Sequence, residues 1–112
     1  MTRIPTPGEP VRGSKSGAPV MALFDLLGRR WAMGVLWVLS QEEPCTFRQL
    51  QEACETISPA VLNTRLKELR AAKLIDVSAD GYVLTPLGRS LHPLLTPMAK
   101  WANNWAKALA KS

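Results

Sequence analysis

Histidine occurs once and cysteine twice in the chain, too few to complete a structural zinc site of four protein ligands. Two cysteines also make no disulfide framework of the kind small secreted domains need. No apolar run approaches the roughly 18 residues of a transmembrane helix. Residues 1–17 are polar and broken by prolines, which is not a basic-then-apolar leader. Catalytic motifs are missing as well. No serine or cysteine lies in a nucleophile motif, no glycine-rich loop follows a strand, and no carboxylate pair shares a helix face with a ligand histidine. His92, before Pro93, reads as a surface or interface histidine rather than a general base. The expectation is a soluble cytoplasmic module that is not an enzyme and uses no metal, cofactor or membrane.

What is present is a globular composition, with 46% apolar and 21% charged residues and a formal charge of +5. That basic excess permits nucleic acid as a partner without requiring it. Residues 1–19 carry Pro5, Pro7, Pro10, Pro19, three glycines and three basic residues without apolar periodicity. They are expected to be a disordered arm. Residues 20–112 are expected to be one domain, and from Met21 onward its eleven basic and eight acidic residues leave only +3.

In that domain, Val20, Leu23, Phe24 and Leu27 recur at helical spacing, with Gly28 as a left-handed stop. Trp31 to Leu39 is apolar on every side, which predicts a helix buried between two layers. Thr46 can cap a short helix with Phe47, Leu50 and Ala53 inward. Ser58 followed by Pro59 opens the best-defined helix, 58–72, with Ile57 stapling against Leu62 and with Leu62, Leu66, Leu69 and Lys73 along one side. Leu74–Ser78 and Gly81–Leu84 then read as two short strands, with Asp80-Gly81 supplying the turn. Thr85-Pro86 repeats the cap signature and opens a long helical region that Pro93 and Pro97 should kink or split.

A short helix, a tight turn at Cys54-Glu55-Thr56-Ile57, a capped helix and a hairpin follow the order of a winged helix-turn-helix. The predicted class is therefore mostly α with a small β-hairpin wing. In such a pair the second helix lies in the DNA major groove. Opposite its apolar line stand Ala60, Thr64, Lys67 and Ala71, flanked by Asn63 and Arg70 on one side and Glu68 on the other. Small residues, a hydroxyl, an amide and a cation suit close approach to base edges. Between Ser58 and Lys73, four basic residues face one acidic, whereas Glu42 to Glu55 holds four acidic against Arg48. A plain solvated face would also carry such charge, but it would not explain the flanking short helix and hairpin. Arg65, at the edge of the buried face, suits an ion pair with a neighbouring helix as well as a phosphate. Arg29 and Arg30 likewise suit phosphates or solvent.

Leu26-Leu27-Gly28-Arg29-Arg30-Trp31, Thr46-Phe47-Arg48-Gln49-Leu50, the run Ile57 to Leu69, and Tyr82-Val83-Leu84-Thr85-Pro86-Leu87-Gly88 together resemble the HxlR-type winged-helix transcriptional regulators. The resemblance spans about residues 20–105. It implies a bacterial homodimeric DNA-binding regulator, with the first and last helices building the dimer and the Ser58 helix reading an operator. Two departures stand out: the wing turn is short with an acidic tip, and Ala18-Pro19 stands where redox-sensing members carry a cysteine before proline.

The expected function is a repressor on an inverted-repeat operator. Ala60, Asn63, Thr64 and Lys67 are placed at base edges, and Thr46, Arg48, Ser58 and Arg65 at phosphates. A winged-helix protein-interaction module without specific DNA binding is the alternative. The expected dimer interface is Val20, Phe24, Leu27, Leu91, Leu95, Met98, Trp101 and Trp105, because so small a core cannot bury all these apolar residues itself. The four tryptophans read as core or interface, with a small planar aromatic effector between two helices as the alternative. Cys45 and Cys54 read as small buried hydrophobes, with a redox switch as the alternative.

Overall fold

The computed structural model describes residues 2–111; Met1 and Ser112, the outer limits of the two expected units, lie outside the described residues. The elements run α1 (Pro19–Leu27), α2 (Ala32–Gln41), α3 (Phe47–Ala53), α4 (Pro59–Ala71), β1 (Ile75–Ser78), β2 (Gly81–Leu84) and α5 (Pro86–Ala110). Three helices start as their local sequence dictates. Thr46 closes a capping box with Gln49, Ser58 Oγ accepts the Val61 amide at 3.2 Å, and Thr85 Oγ1 accepts that of Gly88 at 3.0 Å. Each cap satisfies an N–H that the first helical turn leaves without an intrahelical partner.

Leu36, Leu39, Leu50, Leu62, Leu66, Leu69 and Ile75 are essentially sealed from solvent and form one core between α2, α3, α4 and the hairpin. Ile57 and Leu62 flank the Ser58 cap and are both buried, in keeping with the expected staple. α2 is not enclosed on all sides. Ala32, Val35, Leu36 and Leu39 face the core, but Met33 and Trp37 remain exposed because only one flank of α2 is covered by neighbouring elements. The left-handed residue after α1 is Trp31 (φ 74°) rather than Gly28, which stays right-handed at φ −75°. Trp31 turns the chain into α2 with its ring against the core and the Arg30 guanidinium 5.7 Å above it.

β1 and β2 pair antiparallel with Ile75 opposite Leu84 and Ser78 opposite Gly81. The turn residues are thus Ala79-Asp80, and Gly81 belongs to the strand. Cys45 adds a third short rung, exchanging both backbone hydrogen bonds with Tyr82 at 2.7 and 3.0 Å. This contact explains the glycine. At φ +135°, a Cβ on Gly81 would also meet the Cys45 carbonyl oxygen at 2.6 Å.

α5 continues unbroken for 25 residues through Pro93 and Pro97. Four apart, both prolines lie on the exposed side, where solvent can take the carbonyls they leave unpaired. Residues 2–18, expected as a disordered arm, follow a defined path. Gly8 N–H donates to the Gly17 carbonyl, Val11 and Ser14 form an isolated bridge, and Ile4 packs against the core. The apolar members of the segment lodge beside Ala22, Leu26 and Leu74, a pattern that spacing alone does not reveal.

Candidate nucleic-acid interface

α3, the bend at Glu55 (φ 54°) and α4 form the helix-turn-helix pair. Because Leu62, Leu66 and Leu69 are buried, the opposite side of α4 is fixed outward, and Ala60, Asn63, Thr64 and Lys67 are all exposed. Among the described residues the side chains of Asn63 and Lys67 have no hydrogen-bond or ion-pair partner, while the Thr64 hydroxyl donates to the Ala60 carbonyl at 3.0 Å and retains its acceptor capacity. Two small side chains at Ala60 and Thr64 let the helix backbone approach a surface closely. Ser58 is exposed at the cap; Pro59 has no N–H and the Val61 amide is taken by Ser58 Oγ, which leaves the Ala60 amide of the first turn of α4 without an intrahelical partner. Thr46 caps α3 in the same manner, and the side chain of Arg48 is 88% exposed with a single loose contact to Glu52 at 3.3 Å.

Arg65 does not join them. Its Nε donates to the Arg30 carbonyl at 2.7 Å and its Nη1 to Glu68 Oε1 at 2.6 Å, so the expected phosphate contact is replaced by an internal clamp. Glu68, expected on the solvated flank, is only 6% exposed and holds Arg65 on one oxygen and Arg29 on the other. This triad fastens the recognition-type helix to the elbow between α1 and α2. A lone carboxylate buried so deeply would be unfavourable, whereas two guanidinium partners offset its desolvation. Arg30 stays exposed over Trp31. Lys73, expected on the buried line of the helix, lies beyond its end in a left-handed conformation and is exposed.

The expected dimer residues divide. Val20, Phe24, Met98, Trp101 and Trp105 are exposed, the last two at 66% and 54%, and the two indoles stack with centroids 6.4 Å apart. Leu95 is buried within the chain, and Leu27 and Leu91 pack against its core, because α5 uses its first half to close the fold and only its second half projects. Leu94 and Leu109 extend the exposed stripe. Between α2 and α5 runs an apolar groove of about 400 Å³ lined by Met33, Gly34, Trp37, Leu95, Met98 and two alanines. His92 lies at its flank, 6.5 Å from the Trp37 ring, with its buried Nδ1 unpartnered.

Both thiols are buried and free. Burial raises the pKa of Cys45, with Glu42 and Glu43 adding to it, and burial alone raises that of Cys54. Neither is an activated thiolate. No helix among the described residues is long and apolar enough to cross a membrane, and no group of three or more His, Cys, Asp or Glu residues among them could hold a metal.

The model of the HxlR-like helix-turn-helix family matches residues 26–110. The HTH-type transcriptional regulator YdzF of Bacillus subtilis is 34% identical over 91 residues, covering 75% of this chain and 84% of YdzF. The crystal structure of quinone-bound YodB from B. subtilis superposes with a TM-score of 0.70 at 31% identity, covering 77% of this chain and 97% of that one. A possible HxlR family transcriptional factor from Thermoplasma volcanium shares the fold at the same TM-score and 22% identity, over 80% of this chain and 85% of that one.

Proposed function

The chain belongs to the HxlR-like helix-turn-helix family of transcriptional regulators, and from that premise we propose that it binds an inverted-repeat operator as a symmetric homodimer, each copy laying α4 in a major groove. The observation that carries this reading is the outward face of α4. Ala60, Asn63, Thr64 and Lys67 form an exposed strip in which the side-chain amide and the ammonium have no partner among the described residues. Asn63 offers the paired donor and acceptor that suit an adenine edge, and Lys67 suits the acceptors of guanine. Ser58, Thr46 and Arg48 fall to the phosphates, and Arg65 acts indirectly by holding Glu68. Asn63→Ala should lower affinity for a selected duplex by about tenfold, within the roughly 1–3 kcal/mol of a base contact, and leave non-cognate binding unchanged. An equal loss on both duplexes would place Asn63 at the backbone and contradict the assignment.

The stripe of Leu94, Met98, Trp101, Trp105 and Leu109, with Val20 and Phe24, supports the dimer. Apolar side chains of that size left in water form an association surface, and burial at roughly 25 cal/mol per Å² would supply the favourable term.

A second reading concerns the signal. The groove between α2 and α5 has the apolar lining and size of a small-ligand site, and the YodB relative has been solved bound to a quinone. A planar aromatic molecule against Trp37 would sit between the DNA-binding core and the projecting half of α5. Titration of quinones should then quench tryptophan fluorescence saturably and release DNA; a flat titration contradicts this reading.

A further inference from the structure

The geometry points to a second DNA-backbone site at the root of the wing, in which Arg70 and Lys73 take a phosphate beside the groove that α4 reads, with Lys67 on the border between the two. This inference rests on α4 as the recognition helix. Lys73 is the first sign. α4 ends in a Schellman arrangement, with Leu74 N–H on the Leu69 carbonyl at 3.0 Å and Lys73 N–H on that of Arg70 at 2.9 Å. The residue after the C-cap must then be left-handed, and Lys73 has φ 64°. Glycine is the relaxed choice there, so lysine holds the position against a local conformational cost. Residues kept in such conformations cluster where a side chain has a task.

The surroundings supply the task. Lys67, Arg70 and Lys73 line a cleft of about 450 Å³ with Thr2, Ile75, Asp76 and Thr85. Three cations face one carboxylate. Asp76 engages Arg70 only weakly, at 3.7 Å with both side chains more than half exposed, and its Oδ1 also accepts the Val77 amide. Among the described residues, the side chains of Lys67 and Lys73 have no ion-pair or hydrogen-bond partner. The cleft is anchored, since Thr85 Oγ1 donates to the Lys73 carbonyl at 2.6 Å while capping α5. Lys67 belongs both to the outward strip of α4 and to this cleft, which makes the two surfaces continuous. The wing tip, by contrast, presents Asp80, a charge that repels phosphate. A backbone contact that the tip cannot make is thereby available at the base of the same hairpin.

Cations near a helix C-terminus can also act on the helix dipole alone, and Lys73→Gly separates that role from DNA contact. Glycine fits the left-handed position, so the melting temperature of the variant should equal or exceed that of the wild type. Its affinity should fall about fivefold at 0.15 M salt, equally for a duplex selected from a randomised pool and an unselected duplex of the same length. The slope of log affinity against log salt should become shallower by about one. Lys73→Arg should retain both affinity and slope. Wild-type affinity and slope in Lys73→Gly overturn this site while leaving the reading of α4 intact. An Asn63→Ala variant that discriminates between the two duplexes as well as the wild type overturns that reading and this site with it.

Discussion

Individual residues carry the sharpest consequences of the local geometry. Gly81 combines a left-handed φ with contact against the Cys45 backbone, and Gly88 has no room for a Cβ, which would lie 2.0 Å from the Leu74 carbonyl oxygen. Gly81→Ala should destabilise by about 1–3 kcal/mol from backbone strain, with the steric clash added, read as a shift in denaturant midpoint. Ser58→Ala removes the α4 cap and should cost about 1 kcal/mol, whereas Ser58→Gly should cost only a few tenths. The cysteines give a pH dependence. Both folded pKa values are raised, so the native state binds more protons than the unfolded state once pH passes the unfolded thiol value. Their contribution is complete below that value and declines as pH rises through it towards the folded one. Alkylation at neutral pH should accordingly be slow in the native protein and fast in denaturant; equal rates would show an accessible thiolate.

Among the elements, α4 was the most legible, because its cap, its proline and its apolar line all lie within a dozen adjacent positions. The hairpin and the Thr85 cap were readable for the same reason. Glu68 was not, since Arg29, one of the partners that make its burial tolerable, stands 39 residues away. Trp31 took the left-handed turn expected of Gly28, and Cys45 joined the hairpin, through tertiary contacts that no local pattern encodes. The exposed strip of Ala60, Asn63, Thr64 and Lys67 was legible because it is what remains once the buried face is assigned, while Arg65 sat on the boundary, where only the neighbouring elbow decides. The triad yields its own test. Glu68→Ala leaves two partly buried arginines without their carboxylate and should cost about 3–5 kcal/mol. Replacing Arg29, Arg65 and Glu68 together with apolar residues of similar volume should recover most of that stability, as thermal unfolding would show. If DNA affinity stays low in the recovered triple variant, the clamp sets the orientation of α4 and not merely its stability.

At the scale of the whole molecule, a single chain leaves a large apolar surface uncovered. Its core is closed by α2, α3, α4 and the hairpin, yet α5 projects with stacked indoles at Trp101 and Trp105, and Phe24 is 59% exposed on α1. Such a surface favours a second copy: in sedimentation equilibrium at micromolar concentration the wild type should be a dimer, and Trp101→Glu with Trp105→Glu should give a folded monomer. That monomer should bind DNA far more weakly, because two linked half-sites reinforce each other. The net charge of +5 matters less than its placement: acidic residues gather before and within α3, while α4 and the root of the wing hold the cations. On the proposed function, this arrangement reads sequence. Selection of genomic fragments by the purified protein at physiological salt tests it most directly. A short inverted repeat whose half-sites lie about one helical turn apart should be enriched. Recovery of fragments without any shared sequence would contradict it and favour a winged-helix module that binds protein instead.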